Sequence, residues 1–213
     1  MASIDYESCD ENFDVPCDVH FNTASFPNEG IWVVSKGTAT DAIQVIDQFT
    51  SLGRGTAFLT KGPFAGDLIA AGHTFEPGTV PEWNRIIRVP MSSSGGPELF
   101  TDLSVNNPDL GEQKPVGLAV NSKGEVFVSV IEIERVGDLL LITGGKILRL
   151  NSSGGYNLSD VFFVTDLLVP QFIAFDMEDN LYVSDASVGV WKITPDGNKT
   201  VISNSPGSGI EVE

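Results

Sequence analysis

The amino-acid sequence predicts an all-β chain built from successive four-stranded antiparallel sheets, and three observations carry that prediction. First, Lys114 to Val130, KPVGLAVNSKGEVFVSV, returns in looser form as VPQFIAFDMEDNLYVSDA at residues 169–186, about 55 positions later. Second, each copy is a short apolar run opened by proline, a polar turn, and a second run rich in Val, Phe and Tyr, the pattern of two strands joined by a tight reversal. Third, each copy is followed by two more such runs. Four strands in a repeat of about 50 residues is the signature of a propeller blade. The expected fold is therefore a β-propeller with about four blades in this chain, partial or completed by association of copies.

Residues 1–14 carry Asp5, Glu7, Asp10, Glu11 and Asp14 with no base, and read as an acidic, solvated arm. In the alternative, Ser3 to Glu7 adds a strand that closes the ring. The propeller then occupies 15–203. A ragged first blade, 15–53, has Asp18 to Phe21, a turn at Pro27 to Gly30, Ile31 to Val34, and Ala42 to Phe49, and is too short for a comfortable fourth strand.

The second blade, 54–104, has Thr56 to Leu59, Asp67 to Ala71, Arg85 to Val89 and Glu98 to Thr101, with turns at Gly62 to Gly66 and Ser92 to Gly96. In the third, 113–167, Gly117 to Val120 and Val126 to Val128 flank the turn Asn121 to Gly124, and Lys146 to Leu150 and Val161 to Val164 flank Ser152 to Gly155. The fourth, 168–203, repeats this with Ile173 to Phe175, Leu181 to Val183, Val190 to Ile193 and Lys199 to Ile202. Its Pro195-Asp196-Gly197-Asn198 supplies the backbone angles of a reversal. The tail, 204–213, is composed like a linker.

Acidic residues outnumber basic ones by 29 to 12, a formal charge of −17. Nucleic acids and anionic membranes are polyanions met by Lys and Arg, so this excess argues against both as partners. No apolar stretch is long enough to span a bilayer, and MASIDYESCDENFD lacks the positive region and apolar run of a secretory signal. That leaves a cytoplasmic chain, or a secreted one whose leader is absent from this numbering. Cys9 and Cys17 would pair outside the cell and stay thiols in the cytosol; with no nearby histidine pair they make a poor zinc site. Sequons at Asn151, Asn157 and Asn198 carry little weight for a secretory origin.

The third and fourth repeats, about 90 residues, resemble NHL-type propeller repeats. Pro115, Gly117, Ala119, Gly124, Phe127 and Val128 fit that pattern in one copy; Pro170, Ala174, Asn180, Tyr182, Val183 and Asp185 fit it in the other, where Phe172 replaces the glycine. More distantly, Gly62-Pro63-Phe64-Ala65-Gly66-Asp67-Leu68 resembles the gluconolactonase and strictosidine-synthase group of propellers. That group implies a divalent cation such as calcium, held near the channel mouth by carboxylate and amide side chains. Here Val116 follows Pro115, and valine offers no oxygen ligand, which counts against such a site. Asp18, Glu112, Gln171 and Asp185 are the side chains that could still converge on a metal.

Propeller strand order places first-to-second and third-to-fourth turns on one rim, and second-to-third loops with inter-blade connections on the other. The first rim has compact turns. The second has an irregular loop, 72–83, with His73, Glu76, Glu82 and Trp83, and a protruding hairpin, 131–143, tipped by Arg135 to Asp138. Variable loops on a rigid scaffold are where binding resides. The ligand-binding candidates are therefore His73, Glu76, Glu82, Trp83, Arg135, Gln171 and Asp185. Asp185, in Tyr-Val-Ser-Asp, reads first as a brace accepting backbone hydrogen bonds.

Nucleophilic hydrolysis needs a histidine base, and only His20, read as structural, and His73 exist, with no Gly-x-Ser-x-Gly elbow. Trp32, Phe127, Tyr182 and Trp191 read as packing between blades; Trp83 reads as an exposed contact. No catalytic residue is assigned. The expected function is a binding scaffold for a protein, peptide or small-molecule ligand, without a cofactor and with exposed blade edges available for homo-oligomers. A divergent metal-dependent lactonase or related hydrolase is the alternative.

Overall fold

The computed structural model describes residues 30–34, 42–47, 49–50, 55–71, 73–74, 84–91, 97–103, 112–136, 139–154 and 162–205. All sixteen regular elements in them are strands. β1 (Gly30–Val34) pairs antiparallel with β2 (Ala42–Asp47), and β3 (Phe49–Thr50) with β6 (His73–Thr74). The second blade is the sheet β4 (Thr56–Phe58), β5 (Leu68–Ala71), β7 (Arg85–Val89), β8 (Glu98–Asp102), paired in that order. The third is β9 (Glu112–Val120), β10 (Val126–Val136), β11 (Leu139–Leu150), β12 (Phe162–Leu167), and the fourth β13 (Pro170–Phe175), β14 (Leu181–Asp185), β15 (Gly189–Ile193), β16 (Lys199–Ser203). Each of the three is an antiparallel meander, the expected blade.

The repeat holds at atomic register. Val120 faces Val126 as Phe175 faces Leu181, and Pro115 faces Val130 as Pro170 faces Asp185; every equivalent pair is separated by 55 positions, as 115 is from 170. Both prolines sit on first strands, where one edge needs no amide donor. At the turns, Asn121 Oδ1 accepts the amides of Lys123 and Glu125 (3.1 and 2.9 Å), and Asp176 Oδ1 accepts those of Glu178 and Asn180 (3.0 and 2.8 Å). A short polar side chain at the end of the first strand thus closes each reversal.

First strands of successive blades lie side by side, so the sheets are arranged around a common axis. The Gly55 N–H donates to the Val116 carbonyl (2.8 Å), tying the start of β4 to β9. Between third and fourth blades, buried Ser129 accepts from the Gly117 N–H (2.8 Å) and donates to the Gln171 carbonyl (2.6 Å). Two apolar clusters fill the wedges. Leu59, Ile69, Ile86, Phe100 and Leu103 meet Leu118, Val126, Val128 and Leu148 between second and third blades. Phe127, Ile147 and Val164 meet Ile173, Leu181, Val183 and Ile193 between third and fourth. Leu118 and Ala119 point to opposite clusters, as strand alternation requires.

Several expectations change. The Ala42 to Phe49 run is divided between β2 and β3. His73, expected to open an irregular loop, lies in β6, its backbone opposite Thr50. β9 begins at Glu112, ahead of Pro115, because Gln113 and Glu112 continue the ladder opposite Glu132 and Ile133. β11 starts at Leu139 rather than Lys146, so the predicted protrusion is a continuous extension of the blade. Among the described residues the segment 15–53 supplies β1, β2 and β3 and no four-stranded sheet. The arm 1–14, Cys9, Cys17, the Asp18 to Phe21 run, the turn 92–96 and Gly155 of the turn 152–155 lie outside the described residues.

Candidate functional site

Among the described residues, the elongated hairpin is the main feature of the loop rim. β10 and β11 pair from Val126 opposite Leu150 out to Val136 opposite Leu139, whereas the corresponding β14 and β15 end at Asp185 opposite Gly189. β9 supports this hairpin as far as Ile133; beyond it, residues 134–136 and 139–141 form a two-stranded projection. At its root, Glu132 and Lys146 form an ion pair and the Thr143 hydroxyl donates to the Glu132 carbonyl (3.4 Å). Val136, Leu141 and Ile142 are half exposed, at 50%, 46% and 54%.

The described candidate residues fall on several elements. Arg135 is in β10 opposite Leu140, on the projection; Glu112 is in β9 opposite Ile133, at its base. His73 lies in β6. Gln171 is half-buried, and its main-chain carbonyl is the acceptor for Ser129. Asp18, Glu76, Glu82 and Trp83 lie outside the described residues.

Asp185 is a brace. Fully buried, it accepts the Leu168 amide on one oxygen (2.9 Å) and the amides of Val169 and Ser187 on the other (3.2 and 2.9 Å). It fixes the connection into the fourth blade and the β14–β15 turn together. A carboxylate so engaged has little left for a hard cation, which needs several free oxygens. Among the described residues no group of three His, Cys, Asp or Glu side chains is placed to hold a metal ion.

No family model matches the chain, and no curated protein matches it. Among solved structures, the chain is similar to an X-ray structure named as a candidate gluconolactonase, with 20% identity over 63% of this chain and 44% of that one, and a TM-score of 0.43. The chain thus spans less than half the length of that protein. No helix of the described residues is long and apolar enough to cross a membrane.

The turn rim carries side-chain chemistry that was not legible in the sequence. Three first turns are laced across successive blades: Lys61 donates to the Ser122 carbonyl (2.6 Å), and the Ser122 amide and hydroxyl donate to the Asp179 carboxylate (2.8 and 2.7 Å). These hydrogen bonds, backbone first, hold Asp179 below the usual carboxylate range. Burial pushes Asp176 upward, but donors from Asn180, Tyr182 and Glu178 outweigh it, and its net shift is also downward. Beside this lacing, a cleft of about 340 Å³ opens at Lys123, Glu125, Arg149 and Asn151. A smaller recess of about 90 Å³, also lined by Lys123, Glu125 and Arg149, reaches Phe127, Phe163 and Phe175. The constant 55-residue offset was the available signal for the turns; for the cleft there was none.

Proposed function

We propose that this chain is a non-catalytic binding module that takes a protein or peptide segment at its loop rim, with the β10–β11 projection as the principal contact. The single observation behind this reading is the hairpin itself: a two-stranded ladder carried past the blade, with Val136, Leu141 and Ile142 half exposed along it. Apolar groups kept in water cost solubility and gain a use when a partner covers them. Edge pairing with a second copy, or capture of a small ligand, remains within the same binding class. The test is to select peptides by display on the full chain and measure their affinity by calorimetry. Leu141→Ser combined with Ile142→Ser should weaken the selected peptides about tenfold or more. Peptides that bind the double variant as tightly as the parent would remove the hairpin from the site. A stoichiometric divalent cation, calcium first, together with lactone ring opening abolished by EDTA, would put the metal-dependent lactonase ahead.

A further inference from the structure

β12 pairs with the edge of β11 that faces away from β10, from Leu148 opposite Phe162 to Gly145 opposite Leu167. Ahead of Gly145, β11 reaches back to Leu139, and among the described residues no strand pairs with that edge over 139–144. Every second residue of an antiparallel strand turns its amide and carbonyl away from the partner it already has, so this edge offers main-chain hydrogen bonds. A bulge falls between the Glu132–Gly144 and Ile133–Ile142 pairs, which leaves 139–142 as the regular open ladder. Proteins blunt such edges with charge or proline, and Leu-Leu-Leu-Ile at 139–142 has neither. Leu141, Ile142 and Thr143 are exposed, so the edge is accessible.

The two faces of the projection differ in charge. Along β10, Glu132, Glu134 and Val136 alternate with Ile131, Ile133 and Arg135; Leu141 stands opposite Glu134 and Ile142 opposite Ile133. On the Glu134 face the charges are Glu132, Glu134 and Lys146. Lys146 pairs with Glu132, which leaves exposed Glu134 unmatched on that face among the described residues. The Glu132 carboxylate also leans over β11, where a β-carbon on Gly144 would lie 3.2 Å from its Oε2. On the opposite face Arg135 is one strand inward of β11, and Glu112 and Lys114 are two strands inward. A long cation in an added strand therefore meets carboxylate on one face, with its methylene stem over Leu141, and an apolar residue meets Ile142 on the other. A second copy would bring another net charge of −17 to the same edge, which disfavours self-pairing.

We infer, resting on the loop-rim function proposed above, that the open edge of β11 takes an extended basic peptide as an added strand. Its Lys or Arg residues lie over Leu141 toward Glu134 and Glu132, and alternate with β-branched residues beside Ile142.

The full chain is titrated, by amide-proton NMR, with capped hexapeptides: Lys-Val-Lys-Val-Lys-Val, the same with glutamate for lysine, and the lysine peptide N-methylated on its lysines or on its valines. The lysine peptide should shift the amides of residues 141–143 saturably, and the glutamate peptide should bind at least about tenfold more weakly. At least one N-methylated form should lose binding, because it removes the amides that face β11. Glu134→Gln should raise the Kd about two- to fivefold, and Leu141→Lys, which sets a like charge on the edge, about tenfold or more. The inference is overturned if no saturable shift reaches 141–143 at millimolar lysine peptide, if lysine and glutamate peptides bind alike, or if both N-methylated forms bind as the parent does. Shifts at 141–143 that grow with protein concentration in the absence of peptide would also overturn it, in favour of a second copy. Display-selected peptides that lose affinity for the Leu141→Ser, Ile142→Ser variant yet tolerate N-methylation at every position would overturn strand addition alone and leave the loop-rim function standing.

Discussion

Asp179 and Gly124 occupy the same place in two copies of one turn, at φ 61° and 83°, and solve it differently. Glycine enters the left-handed region without steric cost; aspartate tolerates it and adds an acceptor, which it uses on Ser122 of the preceding blade. The sequence showed a Gly-or-Asn turn at both sites, but not that one turn tip would reach across to the next, because that contact joins residues 57 apart. The charge makes the contact sensitive to acid. Asp179 and Asp176 are depressed in the folded state, so the native chain binds fewer protons than the unfolded one there. Their stabilisation is fully present above the unfolded carboxylate pKa of about 3.9 and is lost as pH falls through the lower folded values. Asp179→Asn keeps the acceptor and tolerates the backbone but removes the charge. Because the site is partly solvated, the variant should be less stable by no more than about 1 kcal/mol at neutral pH. Urea titrations between pH 7 and 3 should show that gap closing with acid; a gap constant with pH would assign the contact no charge-dependent role.

At the scale of elements, the strands of the second to fourth blades were legible, whereas their extents and the short strand β6 were not. Proline, a short apolar run, an Asx turn and a Val/Phe/Tyr run define β9–β10 and β13–β14 locally, and the structure has both in register. Glu112 and Gln113 look polar in isolation, and Thr143-Gly144-Gly145 interrupts the apolar run Leu139 to Ile142 before Lys146; only mutual pairing makes each a continuous strand. The cleft was hidden for the same reason, since the β10–β11 ladder, which pairs Phe127 with Arg149, brings Arg149 to the same cleft as the turn residue Lys123 without any local motif. The close approach of first strands was half visible: Gly117 in β9 and Phe172 at the equivalent place in β13 show that only one copy is crowded. A β-carbon on Gly117 would fall on the Gln171 carbonyl oxygen and lie 3.0 Å from Ser129 Oγ, groups that already hold the blades together. Backbone cannot give way there as a flexible side chain would. Gly117→Ala is therefore expected to destabilise the fold by about 1–3 kcal/mol in chemical denaturation. An unchanged midpoint would mean that the first strands can separate freely.

Across the whole molecule, the two apolar clusters make the third blade a shared wall. Its Leu118, Val126, Val128 and Leu148 face the second blade, while Ala119, Phe127, Ile147 and Val164 face the fourth. A blade that gives one face to each neighbour cannot lose either without exposing a core surface, so stability should be pooled rather than held blade by blade. Leu148 and Leu181 are both fully buried, one in each cluster, and Leu→Ala at either should cost about 2–5 kcal/mol, a large share of the 5–15 kcal/mol typical of a domain. Pooling predicts that both variants unfold in one transition, followed alike by far-ultraviolet circular dichroism and by Trp191, with Trp32 and Trp83 replaced by phenylalanine so that β15 alone reports. If blades were held separately, Leu181→Ala would release Trp191 at lower denaturant than the bulk of the strand signal. Leu148→Ala would leave the Trp191 transition in place. Coincident curves in both variants are expected, because Phe127 and Leu148 lie on adjacent paired strands of one sheet, and neither face can unpack while its ladder remains intact.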